Sequence, residues 1–78
     1  LAGAEKTALS SAGTARQAIV TGDAFLGYGD YARAAALYRA ALGKSGVDAN
    51  LANLRLGVAL ARAGDKAGAT TALQAVQG

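Results

Sequence analysis

Cysteine and histidine are both absent from this chain of 78 residues, and so are proline, methionine and tryptophan. Without cysteine there are no disulfides. Without either cysteine or histidine the usual zinc and transition-metal ligand sets cannot be built, so neither a metal nor a cofactor is expected. The same absences remove the commonest nucleophile and general base, and the five acids are spread along the chain. No apolar run reaches the roughly 18 residues that a membrane-spanning helix needs. Residues 1–11 contain Glu5 and Lys6 and lack a basic start followed by an apolar stretch, so they do not read as a signal peptide. The chain opens on Leu1 rather than methionine, as expected of a processed chain or a piece of a longer one. The compartment, cytoplasmic or periplasmic, is left open.

What is present favours helices. Alanine has the highest helix propensity, and an alanine-rich chain without proline disfavours strands. One Phe and three Tyr are the only aromatic residues, so the core must come largely from Ala and Leu, which requires close helix approach. The make-up, high in Ala and Gly and low in Lys, fits a bacterial source. The net charge of +3 is mild, and the arginines are dispersed rather than gathered into a phosphate-binding face, so nucleic acid is not an expected partner.

The chain also repeats itself. Tyr28-Gly29-Asp30-Tyr31-Ala32-Arg33-Ala34 aligns with Ala63-Gly64-Asp65-Lys66-Ala67-Gly68-Ala69, an offset of 35 residues between Gly29 and Gly64. The same offset pairs Gly22 with Gly57, Ala24 with Ala59, Phe25 with Leu60, Tyr38 with Leu73 and Ala41 with Val76. Self-similarity at such a period marks stacked supersecondary units. In the first unit Ala18, Thr21, Gly22 and Phe25, then Ala34, Leu37, Tyr38, Ala41 and Leu42, recur three and four apart, as one helix face requires. In the second unit the corresponding sets are Leu56, Gly57 and Leu60, then Ala69, Ala72, Leu73 and Val76.

Each Gly-Asp pair breaks a helix for a physical reason. Glycine readily takes the left-handed conformation that ends one helix, and the aspartate carboxylate accepts from the free N–H groups of the next. Asp30 and Asp65 are therefore expected N-caps, as are Thr14 and Asp48 at the start of each unit. Helices are predicted near 3–12, 15–28, 31–43, 49–63 and 66–77, with 44–47 as the loop between units. Short connections require neighbouring helices to double back on each other.

Gly22, Phe25, Gly29-Asp30-Tyr31, Ala34, Tyr38 and Ala41 match the residue order of a known repeat. So do Leu56-Gly57, Leu60, Gly64-Asp65, Ala69 and Leu73. The chain thus resembles the tetratricopeptide repeat family over roughly residues 15–78. It departs from that pattern by carrying Ala18 and Asn53 at the usual tryptophan and by lacking the proline at the repeat end. The resemblance implies an all-α αα-superhelix of antiparallel helix hairpins with about five helices. It divides into an N-terminal capping helix or preceding-repeat remnant (1–14) and two repeats (15–48 and 49–78).

In that family the first helices of successive repeats line a concave groove that binds a peptide or a partner's helix. Carried over to this chain, the resemblance implies a partner-binding groove formed by Arg16, Ile19, Val20, Asp23 and Leu26 from the first unit. Leu51, Leu54, Arg55, Val58 and Arg62 would face it from the second. Apolar partner residues would meet Ile19 and Val58, and an acidic group would meet Arg55 or Arg62; for Ile19, Leu51 and Leu54 the alternative is plain core. Asp23 argues against the carboxylate grip some family members use, because it would repel the ligand's own carboxylate. The expected role is a protein–protein interaction module or scaffold and not an enzyme, as a fragment of a longer array. The alternative is a self-association element, a homodimer whose groove or apolar end is filled by its own copy.

Overall fold

The computed structural model describes residues 14–77, and all the regular structure among them is helical. The helices are α1 (Ala15–Tyr28), α2 (Tyr31–Leu42), α3 (Ala49–Ala63) and α4 (Lys66–Gln74). The described helices therefore number four rather than five, because the helix expected near 3–12 lies outside the described residues, as does the 1–14 segment up to Thr14.

All four helices begin on the side chains that the sequence marks as caps. Thr14 accepts from the Gln17 N–H at 3.1 Å while the Gln17 side chain accepts from the Thr14 N–H, a reciprocal box. Asp30, Asp48 and Asp65 accept from the N–H groups of Arg33, Leu51 and Gly68. The Arg33 guanidinium also bonds the Asp30 carboxylate, and these two bonds from Arg33 hold that carboxyl below its ordinary pKa. Gly29 (φ 84°) and Gly64 (φ 92°) close α1 and α3 in the left-handed region, where a Cβ would be strained. The last helix stops at Gln74, three residues before the predicted end at 77. The Asn50 side chain explains why. Its amide donates to the Gln77 carbonyl (2.6 Å) and accepts from the Gln77 N–H (2.9 Å), so the chain end is drawn out of the helix toward α3.

The two-residue turns Gly29-Asp30 and Gly64-Asp65 fold α1 onto α2 and α3 onto α4. The longer connection, residues 43–48, lets α2 pack on α3, so each helix lies mainly against its neighbours in sequence. The core they share is built from small side chains. Ala18, Ala34, Ala41, Ala52 and Ala59 are fully buried, and among the described residues the one large side chain buried to the same degree is Tyr38. Its ring lies on Gly22, whose missing side chain makes room for it: an added Cβ would sit 2.7 Å from Tyr38 Cε1. At the equivalent place in the second unit, Leu73 covers Gly57 at the same 2.7 Å. None of the described helices is long and apolar enough to cross a membrane.

Candidate functional site: the cleft between α1 and α3

Helical periodicity brings Arg16, Ile19, Val20 and Asp23 to one side of α1, three and four residues apart. With Gly46, Asp48 and Leu51 they line a cleft of about 400 Å³. One wall is thus the first two turns of α1, and the other is the loop end and first turn of α3. The wall residues differ in how much they offer. Ile19 is 6% exposed and belongs to the core, whereas its neighbour Val20 is 60% exposed. Leu51 is half-buried against the core. Ile19 thus forms the cleft floor while packing into the core, in line with the plain-core alternative given for it, because its position on α1 turns it toward the packed interior.

Asp23 and Arg55 are committed to each other. Asp23 Oδ1 accepts from the Tyr38 hydroxyl at 2.5 Å and pairs with Arg55 Nη1 at 2.9 Å, so one carboxylate ties together α1, α2 and α3. The tyrosine hydroxyl needs a partner because it ends a fully buried ring. Burial, and then the bond to Asp23, push its pKa well above the ordinary 10.0. Arg55, expected to meet an acidic group from a partner, carries this internal pair with its side chain 39% exposed.

The remaining expected groove residues are not part of the cleft lining. Leu26 is half-buried against the core and Val58 is half-buried further along α3. Leu54 is 45% exposed, an open apolar position next to Arg55 in sequence. Arg62 is exposed in the last turn of α3, where a cation complements the negative end of the helix dipole. Arg16 is exposed at the opposite kind of place, the first turn of α1, which holds no acidic residue.

Comparison with family models, with curated proteins and with solved structures returns no match.

Two features of the site were not expected from the sequence. Gly46 and Asp48 form part of the cleft wall, although the sequence marks them only as loop and cap. Their place depends on the positive φ of Gly46 (75°), which sets how the loop enters α3. The Tyr38–Asp23–Arg55 bridge was missed as well. The available signal was a tyrosine, rather than a phenylalanine, at a position otherwise assigned to the core. Among the described residues no three His, Cys, Asp or Glu side chains cluster as metal ligands.

Proposed function

We propose that the chain is a tetratricopeptide-like module that holds a peptide or a partner's helix along α1 and α3, and that it acts by binding rather than by catalysis. Residues 15–48 and 49–78 serve as its two repeat units, stacked into an αα-superhelix. What supports the stacking is the equivalence of the two units at the 35-residue offset. Both turn on a left-handed glycine, both start their second helix on an aspartate cap, and both seat a large side chain on a helical glycine. What supports binding is the cleft itself. It leaves Val20 open to solvent between two helix starts, with Leu54 exposed further along α3. Apolar side chains presented on a groove are the usual anchor points for helical or extended peptides.

The test is chemical-shift mapping on the labelled chain with candidate partner segments, alongside Val20→Asp and Leu54→Asp variants. Both residues are exposed, so the variants keep the fold by circular dichroism while losing the bound segment. Shifts confined to the outer faces of α2 and α4, with unchanged binding in both variants, would refute the groove as the binding surface.

A further inference from the structure

We propose that copies of this chain stack head to tail, with α1 of one copy packing on the exposed side of α3 and α4 of the next, as α3 packs on α2 within the chain. The 35-residue offset shows which surfaces are left over. In the first unit Ile19, Ala35 and Tyr38 are buried. Their equivalents in the second unit, Leu54, Thr70 and Leu73, are all exposed. The neighbours account for the difference: α2 packs on both α1 and α3, whereas α4 packs mainly on α3. The second unit thus leaves open the side that the first unit gives to α3, and it keeps large apolar residues there, Leu54 for Ile19 and Leu73 for Tyr38. The reciprocal face is on α1. On α3, Gly57 meets α4 through Leu73 and Ala69, while Ala52, Leu56 and Ala59 form a buried stripe on another side, where α3 packs on α2. The equivalents on α1 are Gln17, Thr21 and Ala24, of which Gln17 and Ala24 are exposed and Thr21 is half-buried. None is charged. The Thr21 hydroxyl already donates to the Gln17 carbonyl, and the Gln17 side-chain oxygen accepts from the Thr14 N–H, so a covering helix meets oxygens that have partners. Continuity with the junction inside the chain is what assigns the surface to a second copy. Its α1 brings Gly22, Ala24 and the Gly29 stop to the places that Gly57, Ala59 and Gly64 hold on α3. Such a contact joins two different faces, so it does not close as a pair and can add further copies. It uses positions outside the cleft lining and stands apart from the groove reading; Leu54, which serves both, is left out of the test.

The experiment is sedimentation velocity on the whole chain from micromolar to millimolar concentration, beside Thr70→Arg on α4 and Ala24→Arg on α1. Both positions are exposed, so circular dichroism of the dilute variants should match that of the parent. The parent's mass is expected to keep rising with concentration past two copies. Each variant alone should stay monomeric, because a charged side chain then falls where the junction within the chain buries Ala35 or Ala59. An equal mixture of the two variants should form a dimer and nothing larger, since Ala24→Arg keeps the α4 face intact and Thr70→Arg keeps the α1 face intact. A parent that stays monomeric at the highest concentration overturns the proposal. So does a mass that levels at two copies and is dissolved by Thr70→Arg but not by Ala24→Arg, which is a symmetric pairing of α4 ends. A mixture no heavier than its components, beside a parent that associates, overturns the head-to-tail arrangement as well.

Discussion

Gly22→Ala and Gly57→Ala add the same methyl group at equivalent points of α1 and α3, and in both the new Cβ falls 2.7 Å from a side-chain carbon of the following helix. The neighbours differ. At Gly22 the obstacle is the Tyr38 ring, fully buried and held at its hydroxyl by Asp23. The ring has no direction in which to move, so the methyl overpacks the core at a cost of about 2–3 kcal/mol. Glycine-to-alanine in a helix returns about 1 kcal/mol, which leaves Gly22→Ala destabilised by about 1–2 kcal/mol. At Gly57 the obstacle is Leu73, 44% exposed and able to swing outward. Giving up the buried half of a leucine costs about 1 kcal/mol, and the propensity gain offsets it, so Gly57→Ala is close to neutral. Thermal and urea unfolding read by circular dichroism compare the two. For a domain of this size the Gly22→Ala variant should melt at least about 4 °C below Gly57→Ala. Equal losses, or a neutral Gly22→Ala, would show that neither contact governs the helix approach. A Gly22→Ala/Tyr38→Leu double variant tests the cause directly, since it transplants the more yielding pair into the first unit, and the penalty of the methyl should shrink there.

Three further outcomes follow from the packing and the hydrogen bonds. The raised pKa of Tyr38 means the folded chain holds the phenolic proton more tightly than the unfolded chain, so that contribution is complete below the ordinary value of 10.0 and is lost as pH rises through the higher folded value. Urea midpoints should therefore drop above pH about 10 in the parent chain and less steeply in Tyr38→Phe, with parallel alkaline slopes counting against the assignment. Ile19→Asp places a charge at a position 6% exposed and should unfold the chain, whereas Val20→Asp, at 60%, should stay within about 0.5 kcal/mol of the parent. Two folded variants of equal stability would contradict the placement of Ile19 in the core. Asn50→Ala removes both bonds to Gln77, so hydrogen exchange at the Gln77 amide should quicken while global stability falls by only about 1 kcal/mol. Unchanged exchange would mean that the chain end is held elsewhere.

The local plan of the chain was readable because it is written in adjacent residues. A cap and a left-handed glycine are decided by a few neighbouring groups, so Thr14, Asp30, Asp48 and Asp65 all took their expected places, and α1 and α3 ended where Gly29 and Gly64 stand. The errors came where distant residues decide. The end of α4 is set by Asn50, far back on α3, which holds Gln77 out of the helix. Ile19 and Val20 are adjacent and both apolar, so only the orientation of α1 against its neighbours tells floor from open wall. The groove positions taken from the resemblance fare unevenly for the same reason. The cleft gathers Arg16, Ile19, Val20, Asp23 and Leu51, but leaves out Leu26, Leu54, Arg55, Val58 and Arg62, which sit further along their helices.

The Tyr38–Asp23–Arg55 bridge bears on both the fold and the site, because the same carboxylate that could have faced a ligand is used to join three helices. Asp23 and Arg55 have no counterparts at the 35-residue offset, where Val58 and Val20 stand. The bridge is therefore a single fastening between the units rather than a feature of each one. A core made mainly of alanine is tolerant of sliding, since small side chains interlock weakly, and a charged pair that also receives a buried hydroxyl allows only one relative position of α1, α2 and α3. Its partly exposed ion pair adds little to stability by itself. Its consequence lies in what is left over. With Asp23 and Arg55 paired to each other, the surface along α1 and α3 that the proposed partner would meet is exposed Val20 and Leu54, half-buried Leu51 and Arg16, which has no ion-pair partner among the described residues. Neutralising the bridge with Asp23→Asn should then loosen the α1–α3 approach and weaken partner binding without removing a contact residue, whereas Arg16→Gln should weaken binding and leave the helix packing as it is. Seeing both effects from either variant alone would mean that fastening and binding are one function of the same charges.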